Sequence, residues 1–244
     1  MKNIVLNFEK NEISVTDESF KSLRANIQFC GKDIHTIAVT SCLPNDGKST
    51  ISINLTRALA LAGKKALFVD GDLRKSIIVK KYVDTTGIIG LSELLSGQAE
   101  LEDVKYRTQI ENFDIIFSGQ YPANPAELLS SSAFEDFLAT VKGEYDYIII
   151  DTPPLGVVID AAVVAGDCDG TVLVLSEGRI KASFAKSVMN QLEKSGAHIL
   201  GAVINENEKT KSNRVNYGKY YKYYGKYYNK YAYKYSYTNN DDKK

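Results

Sequence analysis

Hydrophobic positions along the chain follow two alternating patterns. Short runs rich in Ile, Val and Leu are apolar at every position, which is typical of strands buried between two helix layers. Longer stretches between them carry apolar residues every three or four positions, which predicts amphipathic helices. This alternation favours an α/β fold with a doubly wound, mostly parallel sheet and helices on both faces. The predicted strands are residues 36–41, 66–70, 113–117, 147–151, 171–175 and 199–204.

Stretches of helical length fall between these strands. Gly63 and Gly196 follow two of them, at the place where C-terminal helix caps occur. A further stretch precedes the first strand and carries Phe20, Leu23 and Ile27 on one stripe. It need not belong to the sheet core, so we expect an N-terminal segment at residues 1–35 and the α/β domain at residues 36–208. The predicted helices are residues 18–29, 48–62, 91–95, 133–141, 160–165 and 182–194.

The periodic pattern stops after the last predicted strand. Residues 217–237 contain eleven tyrosines and five lysines in 21 positions, and no Leu, Ile or Val. Such a segment has too few apolar residues to form a core, so residues 209–244 are predicted to be a disordered tail. The tail holds ten Lys and Arg against two Asp, a net charge of +8, while the other 208 residues hold 20 against 28, a net charge of −8.

The composition excludes several classes of protein. With 244 residues, of which 44% are hydrophobic and 25% charged, the chain can bury a core without disulfides or a structural metal. It has no apolar run near the roughly 20 residues of a membrane span and no apolar segment of a secretory signal, so a cytoplasmic protein is expected. Three widely spaced cysteines and two histidines disfavour a zinc hydrolase or a Ser-His-Asp triad.

The segment directly after the first predicted strand carries the clearest chemistry. It matches the end of the G-x-x-x-x-G-K-[ST] phosphate-binding loop, although Cys42 stands at the first glycine position. Backbone N–H groups at a helix N-terminus bind phosphate, and the lysine and hydroxyl that follow reach phosphates and Mg²⁺. The order of strand, loop and helix therefore predicts a P-loop NTPase rather than a plain helix start. The predicted nucleotide-binding residues here are Pro44, Asn45, Asp46, Gly47, Lys48, Ser49 and Thr50.

Carboxylates end two further predicted strands. Asp70 and Asp72 follow one buried run, with Arg74 close behind, and Asp151 ends another. In open α/β sheets ligands bind at the carboxyl ends of the strands, so these groups should converge with Ser49 on one Mg–nucleotide. A single strand-end aspartate is more often only a turn or cap residue. Here the phosphate-binding loop and two strand ends all place suitable residues at the same edge of the sheet, which favours a functional site.

Together these segments resemble the bacterial tyrosine kinases, a family of P-loop ATPases. Residues 41–50 resemble the family's Walker A motif, residues 70–74 its Walker A′ motif, residues 148–151 its Walker B motif and the tail its tyrosine cluster. The resemblance extends from Glu18 onward and is nearest to the free-standing cytoplasmic subunit of Gram-positive capsule or exopolysaccharide systems. Glu18, Lys21 and Arg24 are similar to the family's Glu-x-x-Arg-x-x-Arg oligomerisation motif, with lysine at the middle position.

The resemblance implies an ATP-dependent protein-tyrosine kinase that phosphorylates its own tail and regulates capsular or exopolysaccharide synthesis and export. It implies ATP and Mg²⁺ as cofactors, with Lys48 on the phosphates and Ser49, Asp72 and Asp151 on the metal. Asp70 becomes the candidate base. Arg74 and Asn205 become candidate nucleotide contacts. The implied phosphate acceptors are Tyr217, Tyr220, Tyr221, Tyr223, Tyr224, Tyr227, Tyr228, Tyr231, Tyr233, Tyr235 and Tyr237.

The resemblance also implies partners. A membrane-embedded activator of the polysaccharide co-polymerase type would recruit the kinase to the inner face of the membrane through its cytoplasmic end. A cytosolic phosphotyrosine phosphatase would reverse the modification, and the kinase itself would form a homo-oligomer. No nucleic acid is expected under this interpretation.

Two other functions stay open from the sequence. ATPases of the chromosome-partition or division-site class share this fold and these carboxylates, but resemble Lys-Gly-Gly-x-Gly-Lys-Thr, and Leu43 stands where their early lysine would be. The Lys- and Tyr-rich tail could instead bind single-stranded nucleic acid, because stacking aromatics and cations are what such proteins use. A tail that is only a solvated end is the third possibility.

Overall fold

The strands of the computed structural model, which describes residues 1–8 and 17–205, form one sheet. In spatial order the strands are β1-β4-β5-β3-β6-β2-β7-β8. Every neighbouring pair is parallel except β4 and β5, which are antiparallel. The strands are β1 (Lys2–Asn3), β2 (Thr36–Ser41), β3 (Ala66–Asp70), β4 (Lys105–Arg107), β5 (Phe113–Ile116), β6 (Tyr147–Asp151), β7 (Gly170–Ser176) and β8 (Ile199–Asn205).

Helices cover both faces of this sheet. The six helices predicted from periodicity are present, with ends that differ by at most two residues, because periodicity identifies a helix better than its ends. Three short helices, Ile78–Tyr82, Leu101–Val104 and Pro125–Leu129, were not predicted. The helices are α1 (Asp17–Phe29), α2 (Lys48–Ala60), α3 (Ile78–Tyr82), α4 (Leu91–Leu95), α5 (Leu101–Val104), α6 (Pro125–Leu129), α7 (Ser132–Lys142), α8 (Asp160–Asp167) and α9 (Ala182–Lys194).

The sheet separates two hydrophobic cores. Successive side chains of a strand point to opposite faces, so Ile148 and Ile150 of β6 belong to one core and Ile149 to the other. Helices α1 to α3 contribute to the core that contains Ile149, and α4 to α9 contribute to the opposite one. Strands with helices on both faces are buried at nearly every position, which confirms the predicted α/β fold and its doubly wound, mostly parallel sheet.

The sheet extends on the N-terminal side of residue 36. Strand β1 pairs with β4, and the next residues bury Ile4 and Leu6 in the same core as Ile27 of α1. Helix α1 also packs on α2, where the Arg24 guanidinium donates to the carbonyl oxygen of Ala58 at 3.0 Å. The first residues therefore share the core of the domain, which the hydrophobic pattern did not indicate. The predicted tail, residues 209–244, lies outside the described residues.

Candidate active site

The phosphate-binding loop joins the end of β2 to the start of α2. Two residues of the loop have left-handed backbone conformations, Asn45 with φ of 64° and Gly47 with φ of 92°. A Cβ atom at position 47 would collide with the side-chain amide of Asn205. Glycine is therefore required at position 47 both by the turn and by the close approach of β8.

Lys48, the first residue of α2, lies close to side-chain oxygen atoms of its neighbour Ser49 and of two other segments, at the ends of β3 and β6. Its Nζ is 3.2 Å from Asp72 Oδ2, 3.5 Å from Asp151 Oδ2 and 3.2 Å from the Ser49 hydroxyl. Burial alone would lower the pKa of Lys48, but the charges of Asp151 and Asp72 outweigh it and raise the pKa. The lysine therefore carries a positive charge at the carboxyl edge of the sheet, where an anionic ligand would bind.

The carboxylates meet because β3 and β6 are neighbours in register. Asp70 is paired with Asp151 in the ladder, and the Gly71 N–H donates to the Asp151 carbonyl oxygen at 2.7 Å. Asp151 also accepts a hydrogen bond from the Ser52 hydroxyl at 3.2 Å. The sequence prediction that strand-end carboxylates from these two segments come together is met by the geometry.

Asp70 has the most perturbed environment of these carboxylates. Its side chain is completely buried, and burial, followed by repulsion from Asp151, raises the pKa of Asp70 to about 8. The Ser76 hydroxyl donates to its Oδ2, which lowers the pKa in part. Its Oδ1 is buried and has no hydrogen-bond partner among the described residues. A buried carboxylate with a raised pKa accepts a proton more readily than an ordinary one.

Arg179, which follows β7, hydrogen-bonds to the backbone of the phosphate-binding loop. The guanidinium donates to the carbonyl oxygen of Asn45 at 2.7 Å and to that of Pro44 at 3.3 Å, and it is 3.3 Å from Asp46 Oδ1. Asp46 Oδ2 in turn accepts from a backbone N–H of the loop, and the Asp46 carbonyl oxygen accepts from Asn205 Nδ2 at 3.0 Å. These contacts fix the loop's carbonyl groups on the side of Arg179 and Asn205.

Arg74 pairs with the first residue of helix α8. Its guanidinium forms a bidentate pair with Asp160 of α8, with Nε–Oδ2 at 2.8 Å and Nη2–Oδ1 at 3.0 Å. Both side chains are nearly inaccessible to solvent. The pair joins the segment after β3 to the segment after β6, so it holds these two segments of the site together.

Comparison with known proteins agrees with this geometry. A family model described as an AAA domain matches residues 34–200. The tyrosine-protein kinase CpsD of Streptococcus agalactiae is 41% identical over 207 residues, which cover 85% of this chain and 90% of that protein. The chain belongs to the bacterial tyrosine-protein kinase family. Membership makes it a protein-tyrosine kinase that binds a nucleotide.

Solved structures place the kinase within a wider group of ATPases. The chimeric protein CapA2B2 superposes with a TM-score of 0.74 at 33% identity, over 84% of this chain and 93% of that one. The septum site-determining protein MinD from Pyrococcus horikoshii, solved with Mg-ADP, gives a TM-score of 0.59 at 29% identity, over 72% of each chain. The kinase thus shares the fold of the division-site ATPases but superposes better on tyrosine-kinase domains, with TM-scores of 0.71 for BceF and 0.74 for Escherichia coli ETK.

Several residues of the kinase's site were missed by the sequence analysis. Arg179 and Ser76 lie in loops that follow strands, where no periodicity or motif marks a single side chain. Ser52 lies one helical turn after Lys48 and so faces the same strand end. Cys42, which stands at the first glycine position of the loop pattern, is buried, and burial raises the pKa of its thiol to about 12.

The predicted oligomerisation residues lie on α1 of the kinase. Lys21 Nζ is 3.3 Å from Glu18 Oε1 on the exposed side of the helix, and Arg24 turns towards α2 of the same chain.

The predicted phosphate-accepting tyrosines lie outside the described residues. None of the helices within residues 1–8 and 17–205 is long and apolar enough to cross a membrane. In the same residues, no three His, Cys, Asp or Glu side chains are grouped to hold a metal ion.

Proposed function

We propose that the kinase uses Mg–ATP to phosphorylate tyrosines of its own C-terminal segment, residues 217–237, and thereby regulates the synthesis and export of a capsular or extracellular polysaccharide. The observation that carries this proposal is the convergence of Lys48 with Asp70, Asp72 and Asp151 at the carboxyl edge of the sheet. Phosphoryl transfer requires mainly positioning, neutralisation of charge and a group that accepts the attacking hydroxyl's proton. These side chains provide each of those functions.

The nucleotide phosphates would lie on the loop of residues 44–50, with Lys48 neutralising their charge. Arg74 and Asn205 are assigned as further nucleotide contacts, and Asn205 already lies against the loop. Because Lys48 Nζ lies between Asp72 and Asp151 oxygens, this point of the fold favours a cation. Mg²⁺ is usually held by one or two carboxylates together with phosphate oxygens and water, so the Ser49 hydroxyl and these carboxylates fit it. When bound, Mg²⁺ supplies further neutralisation of the phosphate charge.

Asp70 is assigned as the base. A tyrosine hydroxyl has an ordinary pKa of about 10, which is far from that of an ordinary carboxylate. With its pKa raised to about 8, Asp70 is better matched to accept that proton. The tyrosine oxygen then forms a bond with the γ-phosphorus, the bond to the β-phosphate oxygen breaks, and ADP leaves.

The charge of the C-terminal segment supports a switch that depends on phosphorylation. Tyr217 lies 13 positions after Ile204, a reach of roughly 45 Å when extended, which spans either its own site or that of a neighbouring copy. Each phosphate adds about −1.5 to −2 charges, so four or five of them cancel the charge of +8 that residues 209–244 carry. Unmodified tails would hold copies together as a homo-oligomer, and modified tails would release them.

The wider system is assigned from the same family. A membrane-embedded activator of the co-polymerase type would engage the cytoplasmic kinase at the inner face of the membrane, and a cytosolic phosphotyrosine phosphatase would remove the phosphates. Neither requires a membrane helix in the kinase itself.

The test is mass spectrometry of the intact and trypsin-digested protein after incubation with Mg–ATP. The incubation includes the cytoplasmic end of a candidate membrane activator and is repeated without it. A Lys48→Met variant removes the phosphate-binding charge, and Lys32→Met removes an exposed lysine as the matched control. We expect phosphate on tyrosines 217–237 in the wild type and the control, and none in Lys48→Met.

ATP turnover without phosphotyrosine under every condition would contradict the proposal and favour an ATPase of the partition or division-site class, whose fold the kinase shares. Salt-sensitive binding of random oligonucleotides by the tail would instead favour a nucleic-acid function. Light scattering tests the switch separately, because equal oligomer masses for modified and unmodified protein would refute it.

A further inference from the structure

The hydroxyl of Ser76 is hydrogen-bonded to Asp70, the assigned base. It lies between the end of β3 and the start of α3, and its hydroxyl donates to Asp70 Oδ2. Neither the family motifs nor the roles assigned above include this serine.

A second contact is compatible with that direction. The Ser76 oxygen accepts a hydrogen bond from the backbone N–H of Ile78 at 3.1 Å. One oxygen lone pair is thus engaged by the start of α3, and the hydroxyl proton remains available to donate to the ionised carboxylate. A tyrosine hydroxyl that is about to be deprotonated must present its proton to Asp70 in the same way.

Asp70 offers no oxygen to solvent. The carboxylate is 0% exposed, and its Oδ1 is buried without a hydrogen-bond partner among the described residues. Ser76 itself is only partly buried, so its side of the site faces the approach from solvent. The serine hydroxyl therefore stands where an acceptor hydroxyl, or a water molecule, would have to stand.

We propose that Ser76 is a positioning residue that holds Asp70 Oδ2 until a tyrosine hydroxyl displaces it, and that it thereby keeps water from taking the acceptor's place. The proposal rests on the assignment of Asp70 as the base. It predicts a kinase with low ATP hydrolysis in the absence of an acceptor, because water must compete with a hydroxyl that is tethered to the carboxylate. The acceptor tyrosine must also displace the serine hydroxyl when it binds, which raises its KM.

The experiment uses the full chain with its eleven tail tyrosines changed to phenylalanine, so that an added peptide with the sequence of residues 217–237 is the acceptor. Ser76→Ala removes the competing hydroxyl. A hydrogen bond to an ionised group typically corresponds to about a tenfold change in an equilibrium. We expect ATP hydrolysis without peptide to rise about tenfold and the KM for the peptide to fall about tenfold, with kcat for transfer little changed.

Three variants keep the result interpretable. Ser76→Thr retains a hydroxyl and should restore wild-type values for both readouts. Ser130→Ala removes a hydroxyl that donates to the Glu127 carbonyl oxygen within the described part of the chain, 60 positions away from Asp70, and should change neither readout. In an Asp70→Asn background, Ser76→Ala should no longer raise ATP hydrolysis. Thermal denaturation confirms that each variant is folded.

The outcomes separate the two proposals. If Asp70→Asn abolishes transfer while Ser76→Ala leaves both ATP hydrolysis and peptide KM unchanged, Asp70 remains the base and the role of Ser76 is wrong. If Asp70→Asn still transfers phosphate at the wild-type rate, the assignment of the base is wrong and the role of Ser76 is overturned with it. A fall in kcat in Ser76→Ala without a change in peptide KM would reduce Ser76 to a support of the α3 start.

Discussion

Asp169 joins the starts of two adjacent strands, β2 and β7, so its replacement by asparagine should destabilise the fold. Its Oδ2 accepts hydrogen bonds from the backbone N–H groups of His35 and Thr36, at 3.1 and 2.8 Å, and from the Thr36 hydroxyl at 2.8 Å. Its Oδ1 is 2.7 Å from Lys142 Nζ. An asparagine oxygen can accept some of these bonds, but it does so without the charge that strengthens them.

The magnitude follows from the pKa of this carboxylate. Burial would raise the pKa of Asp169, but hydrogen bonds from Lys142 and Thr36 outweigh it and lower the pKa from 3.8 to about 2. That difference corresponds to about 2 kcal/mol of stability, and since the side chain is only 22% exposed, screening by solvent reduces it little. The stabilisation is fully present above about pH 4 and is lost as the pH falls through about 2.

Urea denaturation at pH 7 and at pH 3 measures this contribution. At pH 7, Asp169→Asn should lower the free energy of unfolding by about 2 kcal/mol, and the difference from wild type should shrink to about half at pH 3. Lys142→Met should cost less than about 1 kcal/mol, because Lys142 is 37% exposed. Asp136→Asn, which removes an exposed carboxylate from α7, is the control. A difference for Asp169→Asn below about 0.5 kcal/mol at pH 7, or one that is equal at both pH values, would refute the reasoning.

Two further predictions concern the supports of the site. Arg179→Ala should weaken ADP binding about tenfold and also lower the free energy of unfolding, because the loop loses the contact that holds Asn45 and because Asp46 is left buried without its cation; equal affinities in isothermal titration calorimetry would contradict this. Asp160→Ala should lower the free energy of unfolding by about 3 kcal/mol or more, because it leaves the Arg74 guanidinium buried without its carboxylate; an unchanged midpoint in thermal denaturation would contradict this.

The central strands and the long helices were predictable because their patterns are long enough to repeat. Strand β6 is apolar at four successive positions, and α2 and α9 each run for 13 residues. The strands β1 and β4 and the helices α3, α5 and α6 are too short for a hydrophobic period to repeat within them. Their positions depend on what they pack against, as when β4 pairs antiparallel beside β5.

The candidate site was predictable to the extent that parallel strands fix it. Because β2, β3 and β6 run in the same direction, the residues that follow them lie at one edge, and the sequence alone identified Lys48, Asp70, Asp72 and Asp151. The sequence did not predict which partner each side chain pairs with. Arg74 follows the carboxylates of the same segment closely, yet it pairs with Asp160, 86 residues further along the chain.

The sequence by itself determined the fold class, the phosphate-binding loop and the residue types at the strand ends, because each is encoded in a few consecutive positions. Only the tertiary structure decided that Arg179 holds the loop from 134 residues away and that Ser76 covers Asp70. The first depends on the strand order that places β7 beside β2, and the second on the path of the chain between β3 and α3. Neither the order of strands nor the path of a loop is written in a local pattern of apolar and polar residues, because both result from packing between distant segments.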